Sequence, residues 1–495
     1  MNPTIFTRPT AALHRLKATM TKECLGILRL GVLLSCSFFL SACDDFLDIT
    51  PDGQVKRDEM LLTTEGIEDA LYGAYAQMRL PELYGMALSV YGIEVLAQNM
   101  DCRGSNIAEN MGTYNWEYSD VRDWAESLWT AMYKNISNVN SVLAADLVTG
   151  ATEFPYTLYK GEALALRAFM HFDLLRLFAP QYTLDTAAGG IPYQTEFSLH
   201  TPDFESMTAN YDHILADLLE AERLLADEGR HTDETPFLLD RQIHLNLHAV
   251  RAELARVYLT RGDKAKAAEY AAKVIEQSPY ELKTKTEVLN DVAGILSRKE
   301  CLFGIYYANF YSYVNTLLQQ QQSFYSLDPR DDFLDTYNLE ADGLDYRQTA
   351  YFTAVETGGD MHYRLSKFTD IYELNNMAAN RPTDLILGIN LIRMPEMYYI
   401  LAECLLDDDP ALARTYYDAV REHRGLEPLA ADRDLTLDLI NLERFKEYVG
   451  EGLTFFNNKR LNLPMVAADG SVTYPPSNGI YVVPIPDPEY ANRYC

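Results

Sequence analysis

His244 and His248 stand four residues apart, the spacing at which two imidazoles on one helix face share a metal. The residues between them lack the glutamate of an H-E-x-x-H motif and no third ligand is evident, so both read as polar positions of a scaffold helix. Asp328, Asp331, Asp332 and Asp335 form an acidic cluster with the charge to hold calcium. Without the glycine and closing glutamate of an EF-hand loop, it reads as a solvated loop. No metal and no cofactor is expected. The chain also contains no G-x-S-x-G, P-loop or G-x-G-x-x-G motif. Carboxylates are so abundant that the two-acid logic of glycosidases singles out no pair, and no catalytic residue is assigned.

Cys43 carries the most specific chemistry. It ends Leu40-Ser41-Ala42-Cys43, directly after an apolar run from Leu30 to Leu40 that follows a basic stretch with Arg8, Arg15, Lys17, Lys22 and Arg29. That is a signal peptide (1–42) closing on a bacterial lipobox, in which the cysteine sulfur takes a diacylglycerol. The apolar run is shorter than the roughly 20 residues of a spanning helix, so a lipid on Cys43, not a transmembrane segment, is the expected anchor. The initiator is either Met1 or Met20.

Aromatic rings beside amides and carboxylates suit the apolar faces and hydroxyls of sugars, and oligopeptides use similar surfaces. Asn99, Asp101, Arg103, Asn106 and Trp116 gather in one polar stretch, and Phe310, Tyr311 and Tyr325 in an irregular one, so these eight are the ligand-binding candidates. Trp124 and Trp129 fall on a helical stripe and are read as core. The chain holds three Trp against 34 Tyr, which keeps peptide capture as an alternative to sugar capture. A surface glycosidase is a more distant third.

These residues need a scaffold, and the pattern supplies one. Net charge is −30 for the whole chain and −34 after residues 1–42, which excludes nucleic acid as a partner. The cysteines left after the signal and Cys43 (Cys102, Cys301, Cys404, Cys495) are scattered and predict neither a zinc site nor a disulfide framework. Residues 43–55 form a tether. Helical periodicity starts near Thr63, with Thr64 as a cap, fades over Gly85 to Tyr118, which reads largely as loop, and returns over Val121–Leu147, Leu158–Phe178 and Tyr211–Asp227. Leu245–Pro279 and Pro395–Arg424 match tetratricopeptide-like hairpins, the first turning at Gly262-Asp263. Between them Cys301–Asn309 and Leu385–Ile392 predict short strands. The expected organisation is a helical scaffold over 56–282, an irregular ligand-binding insertion over 283–391 and a helical C-terminal region over 392–495.

Several motifs together resemble the SusD/RagB outer-membrane nutrient-binding lipoproteins of Gram-negative bacteria. Cys43-Asp44-Asp45-Phe46-Leu47-Asp48 is similar to the family's mature start. Leu128-Trp129 with Tyr133, Ile136 and Asn140, and the helix from Arg167-Ala168-Phe169 to Leu177-Phe178, resemble two of its conserved segments. Arg393, Glu396, Ala402 and Glu403 resemble a third, with Pro395 in place of alanine. Glu443-Arg444, Glu447, Glu451-Gly452 and Arg460 are similar to E-R-x-x-E-x-x-x-E-G...R, although Thr454 and Asn457 replace its usual arginine and aspartate. Pro484-Ile485-Pro486 with Glu489 and Asn492 resembles its closing motif. The resemblance implies a mostly α, SusD-like fold of tetratricopeptide-like hairpins with a loop-rich ligand-binding subdomain and a few short strands. It further implies a protein without catalytic activity, lipid-anchored in the outer membrane and facing outward. Its implied role is to cap a SusC/RagA-type TonB-dependent transporter and pass it glycans or oligopeptides.

Overall fold

The computed structural model describes residues 57–101, 106–198, 200–231, 235–290, 296–310, 345–357, 360–368, 386–468 and 470–491, with positions 314, 328, 329, 336 and 337. The expected signal, Cys43 and the tether lie outside these residues. Helix Arg57–Met60 ends a first unit, and all that follows belongs to a second, Leu61–Cys495.

The protein is mostly helical. Helix α1 (Thr64–Met78) buries Ile67, Leu71, Ala74, Tyr75 and Met78 on one stripe. Its cap is Thr63, one residue before the expected Thr64, because Thr63 Oγ1 accepts from Gly66 N at 3.1 Å. The stretch expected as loop holds two short helices, α2 (Gly92–Leu96) and α3 (Asn106–Gly112), on either side of strand β1 (Met100–Asp101). Helices this short span less than two turns and leave little periodicity to read. Helix α4 (Ser119–Leu143) packs its Val121, Leu128, Met132, Ile136 and Val139 stripe against α5 (Tyr156–Phe178). Buried on nearly every face, α5 is the central helix of the scaffold.

Strands β2 (Gly189–Pro192) and β3 (Phe204–Ser206) form an antiparallel pair. Ser206 then caps α6 (Met207–Leu225), its Oγ accepting from Ala209 N. Next comes the hairpin of α7 (Leu247–Arg261) and α8 (Lys264–Gln277). Asn246 caps α7, Gly262 at φ +94° ends it in the left-handed region that glycine adopts freely, and Asp263 caps α8. Because α7 starts after Asn246, His244 and His248 do not share a helix, contrary to the sequence reading. His244 is buried beside Glu162 (Nδ1 to Oε2 3.1 Å) among the rings of Tyr75 and Phe237, while His248 packs near Tyr280.

The insertion contributes β4 (Cys301–Tyr306), β5 (Asp328–Pro329), α9 (Tyr346–Tyr351), β6 (Phe352–Thr357), β7 (Asp360–Leu365) and β8 (Gly388–Arg393). Both predicted strands are present, and they pair with each other: β4 runs antiparallel to β8 with Ile305 opposite Ile389. β6 and β7 form a hairpin. The scaffold resumes with α10 (Met394–Leu405) and α11 (Pro410–His423), each with a proline in its first turn, and closes with α12 (Leu437–Tyr448) and α13 (Thr454–Arg460). Each scaffold helix packs on the next, α4 on α5, α5 on α6, α6 on α7 and α7 on α8. The series passes straight over the insertion, because α8 packs on α10.

One buried ionic network ties the insertion to this scaffold. Glu443 and Glu447 lie four residues apart on α12 and so project from one face, and Glu451 follows just past its end. Glu447 Oε1 accepts from Arg393 Nη1 (2.6 Å) and Arg424 Nη2 (2.8 Å), and its Oε2 from Arg424 Nε (2.9 Å). Arg347, carried by α9, reaches both Glu443 (2.6 Å) and Glu447 (3.3 Å). Lys367, just past β7, donates to the Glu447 backbone oxygen at 2.8 Å and pairs with Glu451 at 2.6 Å. All these side chains are buried. Burial alone raises a carboxylate's pKa, but Arg424, Arg393 and Arg347 outweigh it and hold Glu447 well below the usual range.

Candidate functional site

The polar stretch and the insertion, separated by more than 200 residues, are joined by backbone pairing. β1 runs antiparallel to β5, with Met100 opposite Pro329 and Asp101 opposite Asp328. That pair places Met100 and Asp101 of the polar stretch beside Asp328 and Pro329 of the insertion. Asn106 is the first residue of α3. Arg103, Tyr311, Tyr325, Asp331, Asp332 and Asp335 lie outside the described residues.

Two of the expected ligand contacts are buried. Asn99 is fully buried, and its Nδ2 donates to Glu94 Oε2 at 2.7 Å. Glu94 accepts in turn from Gly452 N at 2.8 Å, and its pKa is raised by burial despite these bonds. Asn99 thus braces the backbone just before β1 through Glu94, and its Oδ1 is buried without a partner. Phe310 is 2% exposed and packs its ring near Tyr307 and Phe368, at centroid distances of 5.8 and 5.7 Å. It is core, because the insertion folds back on itself there.

Trp116 is half-buried. Its Nε1 donates to the Gly479 carbonyl at 2.7 Å, and its ring lies 6.3 Å from that of Tyr114. It lines a surface cavity of about 210 Å³ with Val121, Arg122 and the prolines Pro484, Pro486 and Pro488. Trp129 is core as expected, with Nε1 donating to Glu489 Oε2 at 3.1 Å. The C-terminal segment thus closes over both tryptophans.

Sequence reasoning missed two residues that shape this face. Gln98 and Tyr114 both adopt positive φ, +60° and +54°, unusual for residues with side chains. Gln98 Nε2 donates to the Gly112 carbonyl (2.6 Å) and to Tyr114 Oη (3.1 Å), and Tyr114 Oη donates to the Leu96 carbonyl (2.9 Å). Together they bind α2, β1 and α3 into one rigid piece. Neither residue type nor spacing marks them, since strain of this kind shows only in the backbone.

Among the described residues, no group of three or more His, Cys, Asp or Glu side chains is placed to hold a metal. No helix among them is long and apolar enough to cross a membrane.

A family model described as "Starch-binding associating with outer membrane" matches residues 45–259, and a model of the SusD family matches residues 244–480. SusD-like protein P2 of Formosa agariphila is 26% identical over 499 residues, which cover 91% of this chain and 94% of that protein. A SusD superfamily protein from Bacteroides thetaiotaomicron superposes with a TM-score of 0.70 at 23% identity, over 87% of this chain and 98% of the other. Surface glycan-binding protein A from Bacteroides uniformis does so with a TM-score of 0.66 at 21% identity, over 87% and 98%. The two family matches run together from residue 45 to residue 480, over the same order of helices and strands just described, and the chain belongs to the SusD/RagB family.

Proposed function

We propose that this protein is an outer-membrane lipoprotein, anchored through Cys43 and facing outward, that captures oligosaccharides and passes them to a SusC/RagA-type TonB-dependent transporter. It binds and does not catalyse. The pairing of β1 with β5 supports the reading, because it sets Asp101 of the polar stretch beside Asp328 of the insertion. Asp101, Arg103, Asn106, Trp116, Tyr311 and Tyr325 are the proposed contacts, with Asn99 and Phe310 as supports. The name of surface glycan-binding protein A supports a sugar as the ligand class. Intact-mass analysis of protein extracted from membranes is expected to find a diacylglycerol thioether on an N-terminal Cys43; an unmodified cysteine would remove the anchor.

Calorimetry against a panel of oligosaccharides and oligopeptides tests the ligand class. Saturable binding to one class of oligosaccharide is expected, and Trp116→Ala with Tyr325→Ala is expected to weaken it at least about tenfold, the loss of aromatic contacts worth ~1.4 kcal/mol. Trp116→Phe keeps a ring but loses the Gly479 hydrogen bond and is expected to retain most of the affinity. Binding confined to peptides would replace the sugar reading with the peptide one, which the excess of Tyr over Trp favours. Turnover of any oligosaccharide would overturn the non-catalytic reading.

A further inference from the structure

A cavity of about 100 Å³ lies where α5, α6, α7, α10, α12 and α13 converge. Leu259, Ile400 and Phe456 give it apolar faces, and Arg176, Arg256, Arg444, Lys459 and Arg460 surround it with positive charge. Four of these five cations have carboxylate partners. Arg176 pairs with Asp173, Arg256 with Glu253 and Glu396, and Arg444 and Arg460 share Glu403.

Lys459 is different. It is 3% exposed, and its Nζ donates to the Arg176 and Ala179 carbonyls, at 2.7 and 2.6 Å, with no carboxylate among the groups acting on it. Those carbonyls end α5 and orient the ammonium, but they do not neutralise it, and one of its three N–H groups is left over. Two hydroxyls in the same wall, Tyr448 Oη and Thr454 Oγ1, are buried without partners, on residues 3% and 8% exposed. Buried polar groups are rarely left so, and two such hydroxyls in one wall with an ammonium that has an N–H to spare call for a ligand.

We propose that this cavity is a second ligand site, separate from the oligosaccharide face, that takes a small monocarboxylate whose charge sits beside Lys459 and accepts hydrogen bonds from Tyr448 and Thr454. A single unbalanced cation suits a monovalent anion, and the apolar faces suit a methyl group better than a phosphate. A cavity of ~150 Å³ holds a benzene ring, so this one holds roughly four non-hydrogen atoms, the size of acetate. Occupancy does not depend on the glycan reading.

Burial, and after it Arg176, lowers the Lys459 pKa to about 7. The other groups facing the cavity are the paired arginines named above, Glu396 and Tyr211. Glu253, behind Arg256, is raised by burial to about 7. As pH rises through 7, Lys459 loses its positive charge and Glu253 gains a negative one, and both changes weaken the hold on an anion.

Calorimetry of sodium acetate into the purified full chain, at ionic strength matched with chloride, tests the site. A saturable one-to-one heat is expected at pH 6, weakening by up to about tenfold per pH unit above 7. Lys459→Met is expected to weaken binding at least about tenfold and to flatten the pH dependence. Tyr448→Phe and Thr454→Val remove one hydroxyl each with little change of shape and are expected to weaken it a few-fold, which keeps the test open should Lys459→Met not fold. No saturable acetate heat at pH 6, phosphate bound in its place, or unchanged affinity in both hydroxyl variants would overturn the proposal.

Discussion

Glu447→Gln is expected to lower the unfolding free energy by about 3–5 kcal/mol, the cost of breaking a buried ion pair from one side. The substitution keeps the size of the side chain and removes its charge, leaving Arg347, Arg393 and Arg424 in a dry interior with one counter-charge fewer. Urea unfolding at pH 7 measures the loss. The same substitution is expected to speed hydrogen exchange in residues 345–368, since Arg347 and Lys367 bind that part of the insertion to α12. Asp487→Asn, which breaks the exposed pair with Arg122, is the control and is expected to change stability by less than about 1 kcal/mol. A Glu447→Gln protein as stable as the parent would show that the network is not what holds the insertion.

Glu403 makes a second large contribution, and this one depends on pH. It is buried between Arg444 and Arg460, with Arg460 Nη1 donating to Oε1 at 2.6 Å and Nη2 to Oε2 at 2.8 Å. Burial raises its pKa, but the two guanidinium groups outweigh burial and bring it to about 2, against an ordinary value of 4.5. A carboxylate depressed on folding stabilises fully above its unfolded pKa and loses that contribution as pH falls through its folded one. The pair is therefore worth about 3 kcal/mol above pH 4.5, declining toward zero as pH falls from 4.5 to 2. Comparing the parent with Glu403→Gln cancels the other titrating groups. The stability gap between them is expected to be constant from pH 7 to 5 and to narrow below 4.5; a gap that stays constant to pH 3 would mean that Glu403 acts through shape and not charge. Here Asn457 stands where the family commonly has an aspartate, and its Oδ1 accepts from Arg460 Nη2 at 2.9 Å.

Much of the scaffold could be read from the chain because helix periodicity is local. Ile67, Leu71 and Tyr75 line one face whatever surrounds them, and Gly262 followed by Asp263 stops one helix and caps the next with residues adjacent in sequence. Short elements escaped for the same reason, since α2 and α3 are too brief to establish a period. At the candidate site the aromatic residues were chosen by type and by their irregular surroundings, and that choice does not separate Trp116, which is half-buried, from Phe310, which is core.

The sequence alone determined the family, the order of the long helices as far as residue 424 and the placing of both strands that flank the insertion, all of which rest on motifs and periods within a few turns of chain. Tertiary structure alone decided that β1 meets β5, that α8 packs on α10 across the insertion, and that Asn99 faces inward to Glu94. It also decided that Glu447 gathers arginines from three separate stretches, and that Lys459 lies in a cavity wall without a counter-charge. Each of these depends on which distant segments exclude water together. Burial and its electrostatic consequences belong to the packed chain, and no local pattern encodes them.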